Sequence, residues 1–457
     1  MQRRSFLTTS AAAATGFLGL QKYLHAQSAA SGARVTAPYG ELISDPAGIL
    51  DLPKGFRYQI ISKKGTVMSD GLKVPGMPDG MACFPGREGT VVLVRNHELG
   101  IGSQNDSPFP EAEFPSDLDS DLSHDPGKGK EPPHVGGTTN IVYDPKTGEV
   151  LREFLSLTGT DRNCAGGAMP WGTWITCEEP ADLTSRRGED HGYCFEVKAT
   201  DDGKLQKAVA LKKLGRFRHE AVAVDPNTGI LYLTEDMGDG LLYRFVPETP
   251  QDFTKGKLEA LAIVGDKSAD LRNYKGSRNS IEEGKPMKAK WIKVTHTDAP
   301  KNDLRERGFR SGAARFARGE GIQWADGSMY ICCTDGGPRA QGQIFKLTPS
   351  GKVDEPDDLE LFLEPEADDL LTNGDNLCAA PWGDLIVCED LCAEYKANTP
   401  HVRGVTQNGE IYNIARNAMG SSEFAGSCFT ADGSTMFVNM QGPGYTFAIT
   451  GPWNKNA

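Results

Sequence analysis

The sequence predicts an all-β protein, a six-bladed β-propeller with long inserted loops. A strand–turn–strand unit recurs six times along the 457 residues, and this length is compatible with one large all-β domain. The chain also contains 53 glycines and 28 prolines, a turn-rich composition that argues against a helical bundle. We therefore expect residues 31–457 to form a single propeller domain.

Each repeat contains a β-branched or apolar run that ends in a polar cluster. The runs are residues 90–98, 173–179, 230–236, 328–335, 384–390 and 435–441. A short strand and a turn precede each run, and a further strand follows most of them. Four-stranded sheets arranged radially form a propeller, whereas a two-sheet sandwich would be very large for this length. The two long inserts, residues 102–136 and 265–311, are predicted to be loops.

The first 30 residues are typical of an export signal. Arg3 and Arg4 precede Phe6 and a moderately apolar stretch that ends near Leu20, and this pattern resembles a twin-arginine signal. We expect residues 1–30 to be recognised by the export machinery and removed, which places the mature protein in the periplasm or outside the cell. An uncleaved anchor or a disordered tail is the alternative. No later stretch has the ~18 apolar residues that a membrane-spanning helix needs, so no stable membrane span is expected after cleavage.

The charge balance argues against nucleic acid as a partner. The chain has 49 lysines and arginines against 62 aspartates and glutamates, a formal net charge of -13. Such a surface repels nucleic acid and anionic membranes.

The ten cysteines do not form the framework of a small disulfide-bonded protein, although one or two disulfides would be compatible with the sequence. Cys332 and Cys333 are adjacent in a predicted strand and should face opposite sides of it. The pair Cys388 and Cys392 is too isolated to predict a zinc site.

Acidic residues recur at equivalent places in the repeats. The starts of the first strands contain Asp79, Cys164, Glu220, Arg318, Glu320, Asp375 and Glu423. The ends of the second strands contain Asn96, His97, Glu98, Cys177, Glu178, Glu179, Glu235, Asp236, Asp335, Glu389, Asp390 and Asn439. Equivalent positions of a propeller meet around its axis, so these side chains are expected to converge. Solvated turn residues are the alternative for each acid taken alone.

A ring of carboxylates is costly unless cations neutralise it. Carboxylate-rich ligand sets suit calcium, and a thiolate such as Cys177 beside Glu178 would indicate iron or zinc at one position. Several such ions could bind a tetrahedral anion. Arg318 is either the ion-pair partner of Glu320 or a fork for phosphate. No Gly-x-Ser-x-Gly elbow, Walker A motif or dinucleotide fingerprint occurs.

Long motifs resemble those of the PhoX-type alkaline phosphatases. They include LPKGFRYQIIS at 52–62, DGMACF to VLVRNHE at 79–98, PWGTWITCEE at 170–179, GRFRHEAVAVDP at 215–226 and EFAGSCFTADGSTMFVNMQGPG at 423–444. The resemblance implies a six-bladed propeller with a mixed iron and calcium cluster on its axis. It also implies hydrolysis of phosphomonoesters outside the cytoplasm.

The resemblance also implies roles for particular residues. By motif, Cys177 would bind iron, and the carboxylate ligands of iron or calcium would be Glu178, Glu220, Glu320, Asp375 and Glu389. Arg318 would hold the phosphate, while Asn96 or Glu98 would line the same mouth, with Asn96 contacting substrate and Glu98 a further metal ligand. Arg318, Cys177 and Glu220 are thus the predicted catalytic residues.

The resulting hypothesis is an exported, metal-dependent phosphomonoesterase that releases inorganic phosphate from a phosphorylated small molecule. A calcium-dependent propeller lactonase or esterase is one alternative, and it needs fewer ions and no thiolate. A non-enzymatic binding propeller stabilised by calcium is the other.

Overall fold

The computed structural model describes residues 35–127, 132–181, 189–277, 280–365, 371–390 and 399–453. The predicted signal segment, residues 1–30, lies outside the described residues, as does Cys392. In the part of the chain that is described, no helix is both long enough and apolar enough to cross a bilayer.

The described residues are mostly β-strands, as the sequence predicts. The strands are β1 (Leu42–Ile43), β2 (Leu50–Pro53), β3 (Arg57–Lys63), β4 (Pro78–Pro85), β5 (Val91–His97), β6 (Gly136–Asp144), β7 (Glu149–Thr160), β8 (Asn163–Met169), β9 (Thr173–Glu178), β10 (Cys194–Lys198), β11 (His219–Val224), β12 (Leu231–Glu235), β13 (Gly240–Leu241), β14 (Tyr243–Pro247), β15 (Gly256–Ile263), β16 (Met287–Lys293), β17 (Arg315–Phe316), β18 (Gly319–Ala325), β19 (Ser328–Cys333), β20 (Gln343–Thr348), β21 (Asp357–Leu363), β22 (Gly374–Ala379), β23 (Leu385–Glu389), β24 (His401–Val405), β25 (Ile411–Asn417), β26 (Phe424–Phe429), β27 (Thr435–Met440) and β28 (Tyr445–Thr450). One α-helix, α1 (Leu304–Ser311), and short 3₁₀ turns at Arg87–Gly89, Gln104–Asp106, Pro110–Ala112, Ser120–Leu122 and Lys212–Leu214 complete the described elements.

The predicted strand–turn–strand repeats are present as antiparallel pairs. They are β4–β5, β8–β9, β11–β12, β18–β19, β22–β23 and β26–β27. Most continue outward into further strands, as in the sheet β4-β5-β6-β7. Two of the units share one nine-stranded sheet, because β16 pairs with β15 on one side and with β21 on the other.

The first strands of the six pairs form a closed ring. In order, β4 contacts β8, β8 contacts β11, β11 contacts β18, β18 contacts β22, β22 contacts β26, and β26 returns to β4. The sheets radiate from this ring, which is a propeller-like arrangement, as predicted. Residues at the same position of each first strand therefore face a common axis.

The N-terminal strands complete sheets that are formed largely by the end of the chain. Strand β3 is the outer strand of the sheet β26-β27-β28-β3, and β2 pairs with β25. Both pairings join segments more than 350 residues apart in sequence, so the ring is closed by hydrogen bonds between distant parts of the chain.

Apolar side chains fill the space between neighbouring sheets. Phe84 and Val94 of the first sheet belong to one buried cluster with Trp174 and Phe195 of the second. Strands buried on both faces read as continuous apolar runs, which explains sequences such as VVLV in β5. As predicted, the adjacent thiols of β19 face opposite ways: Cys332 and Cys333 belong to different clusters. The described cysteines are all free thiols.

A buried ion pair links the first and last sheets of the ring. The Arg95 guanidinium, fully buried, donates from Nη2 to Glu153 Oε1 at 2.9 Å and from Nη1 to Thr446 Oγ1 at 2.6 Å. Ser62 of β3 donates to the same Glu153 oxygen at 2.6 Å. Four strands, β5, β7, β28 and β3, thus share one charged network.

Replacing Arg95 by alanine should destabilise the fold strongly. The change leaves Glu153 buried without its cation, and breaking a buried ion pair by removing one partner costs about 3–5 kcal/mol. Equilibrium urea denaturation measures the loss. Arg310→Ala is the matched control, because its side chain is 73% exposed and its pair with Glu306 is worth less than about 1 kcal/mol. Equal losses in the two variants would contradict the assignment.

Candidate metal centre

Every first strand of the ring has a β-bulge at the same place. The register of its pairing shifts within residues 78–81, 163–166, 219–222, 319–322, 374–377 and 425–428. A bulge inserts an extra residue and re-aims the side chains beside it. The residue after the first paired position is Asp79, Cys164, Glu220, Glu320, Asp375 or, in the sixth strand, Ala425.

Backbone strain marks the entry to four of these strands. Met77, Arg162, Arg318 and Asn373 have φ values of 46°, 49°, 49° and 47°, and each directly precedes the strand. A left-handed conformation is uncommon for residues other than glycine, and it persists where the surroundings over-determine it. The bulge also brings neighbouring strands close: a Cβ on Gly321 would lie 2.8 Å from the Asp375 carbonyl oxygen.

The second strands supply a further set of acids, and here side-chain alternation decides which ones face the axis. Glu178, the last residue of β9, turns into its own sheet, where its carboxylate accepts bonds from the backbone N–H groups of Asp161 (2.8 Å) and Gly192 (2.9 Å). The next residue, Glu179, faces the axis and lies against Cys164 and Glu220.

The same division recurs in two other repeats. Glu235 accepts from the Leu241 N–H at 3.1 Å, whereas Asp236, the next residue, lies among the axial carboxylates. Glu389 accepts from the N–H groups of Thr372 (3.1 Å) and His401 (2.8 Å). In each acidic pair, therefore, the first carboxylate supports the sheet.

Three groups of potential ligands line the axis, and two of them overlap. In each group the ligand atoms lie within 4.8 Å of one another. The groups are Cys164, Glu179 and Glu220; Glu220, Asp236 and Glu320; and Asp79, Glu98 and Glu423. The first two groups are fully buried and share Glu220.

Burial makes these carboxylates hard to ionise. It raises the pKa of Glu220 and of Glu320 well above the usual value, and nearby acids raise both further. Burial, followed by the charge of Glu98, raises the pKa of Glu179 to about 8. Burial and the charge of Asp390 raise that of Asp375 to about 7.

Arginines neutralise part of this charge. Although burial opposes it, the ion pairs with Arg318 and Arg218 hold the pKa of Asp236 below its usual value. Acids and arginines alternate along one chain of ion pairs: Glu98, Arg162, Glu179, Arg218, Asp236, Arg318 and Glu320. The arginine side chains are 42%, 31% and 28% exposed in that order, so they form the solvent-facing mouth above the buried acids.

The donor set fits cations. The centre contains more carboxylate groups than its three arginines can neutralise. One carboxylate oxygen, Asp79 Oδ1, is buried without a hydrogen-bond partner. Gln441 Nε2 donates to Asp79 Oδ2 and to Glu98 Oε2, both at 2.8 Å, which orients the third group. Oxygen-only groups suit calcium, and the group that contains Cys164 adds a thiol suited to a softer metal.

A channel continues below the acids. The six first strands line a cavity of about 470 Å³, mostly with alanine, glycine and other small residues. The axial acids therefore lie at one end of a shaft that is lined by small residues.

The structure brings five of the predicted site residues together. Glu220, Glu320, Asp375, Glu98 and Arg318 all lie at the axial centre or in its mouth. Arg318 Nε donates to Asp236 Oδ1 at 2.6 Å, and its Nη2 lies 2.8 Å from Glu320 Oε1.

Cys177, predicted to bind iron, is not part of this centre. Its thiol lies in an apolar cluster with Phe217 and Leu233, 3.6 Å from the sulfur of Cys194. Cys177 lies inside β9, where it pairs with Cys194 of β10, whereas Glu179 lies just beyond the end of the strand. The thiol among the axial carboxylates belongs to Cys164.

Glu178, Glu389 and Asn96 also lie elsewhere. The two glutamates bind backbone N–H groups inside their sheets, as described above. Asn96 is fully buried and donates to the carbonyl oxygens of Cys164 (3.1 Å) and Ala165 (2.7 Å). Its amide joins two sheets and does not line the mouth.

Sequence reasoning selected neither Cys164 nor Glu179 as a ligand, and it did not select Arg162 and Arg218. One signal in the sequence could have identified the two arginines. Arg162 and Arg218 directly precede first strands, the place that Arg318 occupies before Gly319.

Comparisons with known proteins identify the family and support the fold. The family model described as alkaline phosphatase PhoX matches residues 37–130 and 134–444. The sequence matches no curated protein. Among solved structures, PhoX of Pseudomonas fluorescens in complex with vanadate, a transition state analogue, superimposes with a TM-score of 0.67 at 16% identity, covering 92% of this chain and 98% of that one.

A gluconolactonase of Xanthomonas campestris superimposes less well, with a TM-score of 0.43 at 11% identity over 91% of this chain and 99% of that one. The match to the family model spans nearly all of the described residues. The chain therefore belongs to the PhoX family of alkaline phosphatases and is a phosphomonoester hydrolase.

Proposed function

We propose that the axial centre is the active site, and that it hydrolyses phosphate esters with the help of calcium and iron. The observation that supports this most directly is the set of three ligand groups beneath a mouth of three arginines. We also propose that the ring is a six-bladed propeller formed by one domain, residues 31–457. Export through a signal at residues 1–30 to the periplasm or the medium completes the proposal.

We assign the buried residues of the centre to metal binding and the exposed arginines to substrate binding. Glu220 belongs to two of the ligand groups, so it would bridge neighbouring cations, and Cys164 would give one of those cations a thiolate. Calcium and iron at these positions would supply positive charge that polarises the phosphoryl group. The carboxylates have raised pKa values without cations, so cation binding and loss of their protons are coupled.

The arginines of the mouth are placed to bind the substrate. Arg318 pairs with Asp236 and Glu320, two carboxylates of the second group. When those carboxylates ligate a cation, the guanidinium keeps N–H donors for the oxygens of a phosphoryl group. Arg162 and Arg218 are also exposed at the mouth, and they add positive charge for a dianionic substrate.

Substitutions of the two candidate thiols, Cys164 and Cys177, are expected to have opposite effects on iron content. Cys164→Ser should lose bound iron and phosphatase activity together, because it removes the only thiol of the three described ligand groups. Cys177→Ser is the matched control and should keep iron, since its thiol contacts Cys194 and apolar side chains. Elemental analysis of natively exported protein and a phosphomonoester assay measure both. Iron loss in the Cys177 variant alone would contradict this proposal and support Cys177, the residue predicted from the sequence, as the iron ligand.

Glu220→Gln should weaken metal binding at two groups at once. The change keeps the size of the side chain but removes the charge of the shared ligand, so both calcium content and turnover should fall at least tenfold. Glu282→Gln, an exposed glutamate outside the centre, should leave both unchanged. Calcium content is measured by elemental analysis and turnover in a calcium titration. Full calcium content with full turnover in the Glu220 variant would contradict the proposal.

Arg318→Lys should weaken substrate and phosphate binding while the metals stay bound. Lysine keeps the charge but loses the bidentate fork, and a charge-assisted hydrogen bond contributes about 1.5–3 kcal/mol, or roughly 10- to 100-fold in affinity. Lysine is preferable to alanine because the position has a φ of 49° and the change should alter only the head group. The inhibition constant of inorganic phosphate, read beside the metal content, provides the test. An unchanged inhibition constant would exclude Arg318 from the phosphate site.

A further inference from the structure

A second cluster of titratable side chains lies beside β9, on the face opposite the axial acids. His134 and His191 stack with their ring centroids 4.2 Å apart. The Nε2 atom of His134 lies 3.8 Å from Asp125 Oδ2, and that of His191 lies 3.7 Å from the same oxygen. All three side chains are buried, with exposures of 6%, 1% and 1% for His134, His191 and Asp125.

Each imidazole is oriented by a carboxylate at its other nitrogen. His134 Nδ1 lies 2.7 Å from Asp161 Oδ2, and His191 Nδ1 lies 2.7 Å from Glu178 Oε1. Metal-binding histidines characteristically donate their second N–H to such a carboxylate, which fixes the tautomer and turns the free nitrogen toward the metal. Here both free nitrogens are turned toward Asp125.

The converging atoms lie at ion-pair distance from Asp125, beyond the usual length of a hydrogen bond. The side chain of His191 is almost completely buried, and its Nε2 atom has no hydrogen-bond partner. Separations of 3.7 Å and 3.8 Å are too long for hydrogen bonds. Two ligands of one tetrahedral zinc ion lie roughly 3.3 Å apart, so a shift of a few tenths of an ångström would place an ion between these three side chains.

We propose that Asp125, His134 and His191 bind a zinc ion in a site separate from the axial centre. Two imidazole nitrogens and one carboxylate oxygen are ligands that zinc accepts. His124 is not counted, because its Nε2 already bonds the Asp190 carbonyl oxygen at 3.0 Å. A water molecule would complete the tetrahedron.

The position indicates a structural role for this ion. Asp125 and His134 lie in the long insert between β5 and β6, whereas His191 lies just before β10. The zinc would therefore fasten the insert to the second sheet. Its two orienting carboxylates, Asp161 and Glu178, directly precede Arg162 and Glu179 of the axial centre.

Zinc content in a background without a functional axial centre tests the site. Glu220→Gln, Glu320→Gln and Asp79→Asn together remove at least one carboxylate from each axial group, so zinc bound there cannot be mistaken for zinc at the histidines. The protein is stripped with a chelator, loaded with zinc, desalted and analysed for zinc per folded chain. One equivalent is expected in this background, and Asp125→Asn or His134→Gln should remove it.

His296→Asn is the matched control, because His296 is exposed and asparagine tolerates its φ of 51°. It should retain the full equivalent. X-ray absorption at the zinc edge of the loaded background protein should show two imidazole ligands, and this measurement decides the matter if a histidine variant fails to fold.

Two results would overturn the proposal. One is zinc content that is unchanged by both Asp125→Asn and His134→Gln. The other is no zinc uptake together with a ¹⁵N NMR spectrum that shows His191 doubly protonated, which would make the cluster an ion-pair network between an imidazolium and its carboxylates.

Discussion

Repulsion among buried carboxylates is the constraint on which the centre of this protein depends. Each first strand of the ring delivers its side chain to the same axis, and burial there raises the pKa of acids such as Glu220 and Glu320. Protons, arginines or metal ions can offset the negative charge of such a site. The structure shows arginines neutralising only part of that charge. Protons or metal ions must offset the remaining charge, and an enzyme that binds phosphate esters gains from metal ions.

The backbone, more than any single contact, enforces this convergence. A bulge at the same point of all six first strands aims one side chain inward, and a left-handed residue before four of them sets the direction of entry. Small residues after the bulge let adjacent strands approach, as Gly321 does against Asp375. Each first strand of the ring therefore contacts a first strand on either side, and these contacts position the site residues.

Much of this could be predicted from the sequence. The strand–turn–strand repeats, the acids at strand starts and the participation of Glu220, Glu320, Asp375 and Arg318 follow from equivalence of position in a radial fold. The choice among neighbouring candidate ligands could not be predicted from the sequence. Whether Cys164 or Cys177 lies among the axial acids depends on the bulge of β8 and on the packing inside β9, and neither is encoded in a short motif. The motif resemblance identified the family, yet it could not supply that choice.

Side-chain alternation explains how one strand can serve two centres. At the end of β9, Glu179 belongs to the axial ligands and Glu178 orients His191 on the opposite face. Asp161 and Arg162 divide in the same way at the entry to β8, one toward His134 and the other toward Glu179. A zinc ion on the outer face would hold both dipeptides in place without touching substrate. Its benefit to catalysis would thus be positional: fixing Glu178 and Asp161 fixes the peptide planes from which Glu179 and Arg162 project. The long insert at residues 102–136, which contributes Asp125 and His134, would then be part of the support of the active site even though none of its described residues belongs to the three axial ligand groups.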